Sequence, residues 1–89
     1  MYSTYVLDSP QFGKIYIGQT ENLQRRLKTH NSAENNGWTS KYKPWRLVYY
    51  EASETRAQAM KREKQLKSAK GREFIHKMME SNPSDPELP

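Results

Sequence analysis

Two runs of alternating residues stand close together near the N-terminus, and their spacing limits the fold more than any other feature of the chain. Tyr2-Ser3-Thr4-Tyr5-Val6-Leu7-Asp8 is rich in β-branched and aromatic residues. Lys14-Ile15-Tyr16-Ile17 alternates two isoleucines with a tyrosine. Both repeat every second residue, the period of a strand. Only Ser9-Pro10-Gln11-Phe12-Gly13 lies between them, a turn with proline and glycine near its ends. So short a connection predicts an antiparallel hairpin. Tyr5 and Leu7 then share one face, with Thr4 and Val6 on the other. Ile15 and Ile17 lie opposite Tyr16.

Gly18 follows the second strand at once. A glycine there either permits a bend or leaves room for something to approach the backbone closely. Thr20 is predicted as the N-cap of a helix running through Leu23 and Leu27 to about His30. At roughly 100° per residue, the two leucines mark a buried stripe. Arg26 and His30, four apart, are neighbours on its flank. Both are thereby steered toward the end of the Tyr16-Gly18 strand. The plainer alternative is that Arg26 is a surface cation whose stem covers leucines.

Asn31 to Tyr42 is polar, with Asn35-Asn36-Gly37 as a turn signal and Trp38 outside any period. After Pro44, Trp45 to Glu51 predicts a third strand, with Trp45, Leu47 and Tyr49 alternating against Arg46, Val48 and Tyr50. Ser53 or Glu54 is expected to open a second helix reaching about Ser68. On it, Ala59, Glu63 and Leu66 fall on one side, and the carboxylate is the odd member of that stripe. Burying it without a partner is costly, so Glu63 should face a cation, a metal or a water-filled cleft. The other possibility is an exposed stripe with ordinary i,i+4 ion pairs. Lys70-Gly71-Arg72 is expected to break this helix from a third, whose Phe74, Ile75, Met78 and Met79 form an apolar face that reads as core. The expected domain covers residues 1–82, with a frayed tail over 83–89.

At 89 residues the chain predicts one domain near the lower limit for a self-sufficient core. Hydrophobic content is 34% and mean hydropathy is −1.13, so the core leans on six Tyr, two Trp and two Phe. No apolar run has the length of a membrane span, and the N-terminus has no signal-peptide pattern, so the expected setting is cytoplasmic, without a membrane. The absence of cysteine excludes disulfides and thiolate metal sites, and two histidines argue against an all-imidazole site. Any metal would be held by oxygen, as Mg²⁺ or Mn²⁺ are. The net charge of +5 suits a polyanion, though many basic proteins bind none.

Taken together, the order of strand, Tyr16-Ile17-Gly18 strand, arginine helix, Pro-Trp-aromatic strand and Arg62-Glu63-Lys64-Gln65 helix resembles the GIY-YIG nuclease superfamily. It is most similar to the small standalone members related to the N-terminal nuclease domain of the excinuclease subunit UvrC. In the first motif Ser3-Thr4-Tyr5 keeps only the tyrosine; in the second, Tyr16-Ile17-Gly18 matches in full. Arg26 and His30 follow Tyr16 by ten and fourteen residues. The resemblance implies an α+β fold, a three-stranded antiparallel sheet flanked by about three α-helices in the order β-β-α-β-α-α. It implies hydrolysis of DNA phosphodiesters, with DNA repair or recombination in a bacterium as a setting. No separate DNA-binding domain is visible, so the expected substrate is branched or nonspecific DNA, or a protein partner supplies targeting. Tyr5, Tyr16, Arg26 and His30 would be the catalytic residues, and Glu63 the ligand of one Mg²⁺ or Mn²⁺. Gly18, Lys41, Lys67 and Asn82 would touch the nucleic acid. Arg26 would donate to phosphate oxygens, its planar fork suiting that task better than a lysine. Either Tyr16 or His30 would orient or deprotonate the attacking water. His30 titrates nearer neutrality, whereas Tyr16 would need its pKa lowered by the metal or Arg26. The alternative function is a nucleic-acid-binding module of the same fold that cleaves poorly; a third is an interaction protein with a coincidental motif.

Overall fold

The computed structural model describes residues 1–32 and 37–81. Three strands, β1 (Tyr2–Ser9), β2 (Lys14–Thr20) and β3 (Arg46–Ser53), and three helices, α1 (Leu23–Asn31), α2 (Arg56–Leu66) and α3 (Ala69–Ser81), follow the order β-β-α-β-α-α. The sheet is antiparallel with strand order β2-β1-β3, so β1 is central and β2 is an edge. The hairpin forms as the spacing requires, with Tyr5 opposite Gly18 and Leu7 opposite Tyr16. Its turn closes with Phe12 N donating to Ser9 O at 3.1 Å, and Gly13 takes φ of 64°, a left-handed value that favours glycine.

Strand alternation sorts the side chains into two cores, one on each face. Tyr5, Leu7, Leu23, Trp45 and Leu47 pack together under α1. Val6, Ile17, Leu66 and Ile75 pack under α2 and α3. Thr4 points the same way as Val6, and its buried hydroxyl donates to Ala59 O at 3.0 Å, tying β1 to α2. The α1 face continues into a short 3-10 turn over Trp38–Tyr42. Trp45 locks that segment, its indole Nε1 donating to Thr39 O at 2.8 Å. Asn31 clips the end of α1 to the start of β3, accepting from Trp45 N at 2.6 Å and donating to Trp45 O at 2.9 Å.

Four local expectations need correction. The N-cap of α1 is Asn22, whose side chain accepts from Arg25 N, and not Thr20, which still belongs to β2. In β3 the register against β1 shifts between Val6 and Leu7, with Val6 opposite Tyr49 and Leu7 opposite Leu47. Such a bulge puts an extra residue into one strand and breaks the period of two. Val48 and Tyr49 therefore both pack with the α2–α3 core, while Tyr50 returns to the α1 core with Leu47. The second helix opens later than expected, at Thr55, which forms a capping box with Gln58. It also stops at Leu66, and Gly71 lies inside α3 rather than between the helices. A Cβ at Gly71 would come within 2.4 Å of both Gln65 O and Leu66 O, so glycine there lets the helices meet closely.

Candidate active site

Tyr5 stands at the centre of the sheet and of the site. Its phenol is 1% exposed, and its Oη lies 3.0 Å from His30 Nε2 and 3.3 Å from Arg26 Nε. The i,i+4 spacing on α1 brings the guanidinium and the imidazole to one hydroxyl. Arg26 Nε–H can only donate, so Tyr5 Oη accepts from it; in the imidazole tautomer with its proton on Nδ1, Tyr5 Oη–H donates to His30 Nε2. His30 Nδ1–H then donates to Thr39 Oγ1, 3.1 Å away. The chain Arg26–Tyr5–His30–Thr39 runs in one direction with every bond satisfied.

The electrostatics agree with that assignment. Burial, followed by the nearby Arg26 charge, lowers the His30 pKa to about 4, so the ring is neutral at pH 7. Burial raises the Tyr5 pKa to about 12 against the opposing hydrogen bond from Arg26, so the phenol keeps its proton. The Arg26 pKa is raised, chiefly by its hydrogen bond to Tyr5, with Tyr16 adding to the effect.

Tyr16 completes the cluster on the solvent side. Its ring centroid is 4.7 Å from that of His30 and 6.1 Å from that of Tyr5. Gly18 explains how two phenols fit beside one strand. A Cβ at Gly18 would sit 2.8 Å from Tyr5 Oη and 2.9 Å from Tyr16 Cε1, closer than real contacts allow. What approaches this backbone is the site's own phenols.

Around the edge of β2 lies a cleft of about 550 Å³. Tyr16 and Trp38 line it from the α1 side, and Lys67, Arg72 and His76 from the α2–α3 side, with Lys14 on the strand between. Glu63 sits on α2, which covers the opposite sheet face from His30. Its side chain is 25% exposed, and its Oε2 pairs with Lys67 Nζ at 2.9 Å. Glu63 is thus tied to the cleft only through Lys67 and does not itself line it, while the other four candidates are joined through Tyr5 and Tyr16. Neighbouring Arg62 turns to β3 and pairs with Glu51 at 2.9 Å.

Among the described residues no group of three His, Asp or Glu stands close enough to form a metal cage. A single half-buried carboxylate beside a polyanion cleft does fit Mg²⁺, which commonly takes one or two carboxylates and fills its octahedron with waters and phosphate oxygens. Lys41 is exposed on the 3-10 turn, Lys67 lines the cleft, and Gly18 is buried beneath Tyr5. Asn82 and the Asn35-Asn36 turn signal lie outside the described residues. Sequence reasoning missed Thr39, the second partner of His30, and the cleft positions of Trp38, Lys14, Arg72 and His76. A tryptophan in an otherwise polar loop was the only signal for that side.

Residues 1–77 match the GIY-YIG catalytic domain family. A UPF0213 protein of Bacillus velezensis is 37% identical over 70 residues, 75% of this chain and 71% of that protein. Another, of Bacillus pumilus, is 39% identical over 56 residues, 63% of this chain and 57% of its own length. A third, of Haloquadratum walsbyi, is 37% identical over 54 residues, 61% of each chain. The match thus spans less than two thirds of the length of the last two relatives. With its fold, its Tyr16-Ile17-Gly18 motif and a family match over most of its length, the chain belongs to the GIY-YIG family of nuclease domains.

Proposed function

We propose that the chain is a divalent-metal-dependent endonuclease that hydrolyses DNA phosphodiester bonds at the β2-edge cleft. The observation carrying this reading is the hydrogen-bonded chain of Arg26, Tyr5 and His30 with Tyr16 opening it onto a cationic cleft. Arg26 spends its Nε–H on Tyr5, which fixes the plane of the guanidinium. Its remaining N–H groups donate to nonbridging phosphate oxygens, where negative charge grows as water attacks phosphorus. His30 is buried, with both ring nitrogens within hydrogen-bond distance of protein hydroxyls and a lowered pKa, so its part is to position Tyr5. Orientation of the attacking water falls to Tyr16, the phenol that lines the cleft. Lys67 and Lys14 hold the flanking phosphates. Glu63 would hold one Mg²⁺ or Mn²⁺, which when bound supplies charge neutralisation at the phosphate. Repair or recombination in the cytoplasm, with a partner supplying targeting, is the setting we assign.

A second reading, a binding module that cleaves poorly, is favoured by one observation: Glu63 is already neutralised by Lys67. Plasmid cleavage with Mg²⁺ or Mn²⁺ separates the two. Under the nuclease reading, Arg26→Ala lowers the rate on the order of 10²–10³-fold, and Glu63→Gln by at least as much, with melting temperatures close to wild type. Wild-type rates in Glu63→Gln would overturn the metal assignment. Unfolding of that variant would make Glu63 a structural ion-pair residue and put the binding module ahead.

A further inference from the structure

One aromatic side chain in the cleft is not needed by the chemistry above. Trp38 is 49% exposed, whereas Trp45 in the same cluster is buried and Tyr16 and Tyr42 are half-buried. Its ring lies 6.5 Å from Tyr16 at 30°, a stacked arrangement, and 4.9 Å and 6.0 Å from Tyr42 and Trp45. Trp45 beneath it is 3% exposed and hydrogen-bonded to Thr39 O, so the support is rigid. Three rings hold the indole while about half of its surface stays exposed at the cleft. Lys14, Lys67 and Arg72 line the same cleft.

We propose that Trp38 is a stacking platform for an unpaired nucleobase, so that the cleft takes single-stranded or flap DNA in preference to continuous duplex. This rests on the nuclease reading of the cleft and names its substrate class. An exposed aromatic face beside cations is the combination that binds single strands: the cations hold the phosphates and the ring takes the base. Within a duplex each base already stacks on its neighbours, and its π-face is out of reach. Only an unpaired base can cover the indole. Because Trp38 stacks on Tyr16, a base seated there places its phosphate beside the phenol that faces the cleft.

The test is a fluorescence titration of the full chain in EDTA, which reads binding without cleavage. The probes are an oligothymidylate and a blunt duplex of equal length, each end-labelled with a fluorophore so that anisotropy reads binding in the variants that lack the Trp38 indole. The oligothymidylate is expected to quench tryptophan emission and to bind several-fold more tightly than the duplex. Trp38→Leu keeps apolar bulk but has no ring, and should weaken single-strand binding about tenfold while changing duplex binding little. Trp38→Phe should recover most of the loss. Equal affinity for the two probes, or single-strand binding unchanged in a folded Trp38→Leu, overturns the platform and leaves the nuclease reading standing. If Trp38→Leu does not fold, weak single-strand binding by a folded Trp38→Phe overturns it too. Failure of the wild-type chain to bind either probe overturns the nuclease reading and the platform with it.

Discussion

His30 has a single acceptor-and-donor pattern that holds only while the ring is neutral, and this makes the site sensitive to acid. Its folded pKa, about 4, lies below the 6.5 of an unburied imidazole. Above pH 6.5 the ring is neutral in both folded and unfolded chains. As pH falls from about 6.5 toward 4, the unfolded chain gains a proton that the folded chain refuses, so stability is lost through that window. The loss should be on the order of 2 kcal/mol. Comparing urea midpoints at pH 7 and pH 4.5 for wild type and His30→Gln checks it: the variant should lose less, and equal losses would place the acid sensitivity elsewhere. Gly18 gives a second residue-scale expectation. Tyr5 Oη is held between Arg26 and His30 and cannot swing away from a new methyl group. Gly18→Ala should therefore cost about 1–3 kcal/mol. It should also displace the phenol, with cleavage falling further than the loss of folded protein explains. A variant with full activity and unchanged melting would show that the ring can yield.

The period of two was enough to place β1 and β2, their pairing and their faces, because each strand is uniform along its length. It misplaced Tyr49, because the bulge at Val48 is a property of the pairing with β1 and leaves no mark in a single strand's pattern. Helix interiors were similarly clear from their leucines, whereas the caps were displaced by one or two residues. Thr20 and Asn22 are both good caps, and the choice between them was made by how far β2 stays paired to β1, where Thr20 still meets Ser3. The Tyr16-Ile17-Gly18 motif with Arg26 and His30 pointed to the cluster around Tyr5, since helical spacing alone carries two residues to one place. Thr39 and Trp38 were not legible, because their positions depend on a turn pinned by Trp45. The start of α2 tests how much a cap contributes. Thr55 accepts from Gln58 N at 3.2 Å, and Gln58 Oε1 accepts from Thr55 N at 3.3 Å. Thr55→Ala should lower unfolding free energy by about 1 kcal/mol in a chemical denaturation experiment, with the denaturant slope unchanged. Since α2 carries Glu63 and is followed at once by Lys67, a cap loss that left stability unchanged would mean the helix is held by Leu66 and Ala59 packing alone.

At the scale of the whole molecule, the two cores separate the chemistry into halves that meet at the β2 edge. The α1 side brings the phenols, imidazole and Arg26; the α2–α3 side brings Lys67, paired to Glu63, and Arg72. Among the described residues no helix is long and apolar enough to cross a membrane. With 15 Lys and Arg against 10 Asp and Glu, the net field favours a polyanion, and under the proposed function the cleft cations fix where it rests. Binding carried by Arg26, Lys14, Lys67 and Arg72 neutralises about four phosphates. At roughly 0.7 per phosphate for a single strand, log affinity against log salt should fall with a slope of about −3. A fourfold rise in salt then weakens binding about sixtyfold. Removing Lys14 and Arg72 together should flatten the slope by about 1.4 without disturbing the Tyr5 cluster, to which neither is hydrogen-bonded. Oligothymidylate titrations at several NaCl concentrations measure both slopes. A salt-independent affinity would mean that stacking on Trp38, and not charge, holds the strand. An unchanged slope in the double variant would move the phosphate track off the cleft and onto Lys61, Lys64 and Lys70, which line a separate groove between α2 and α3.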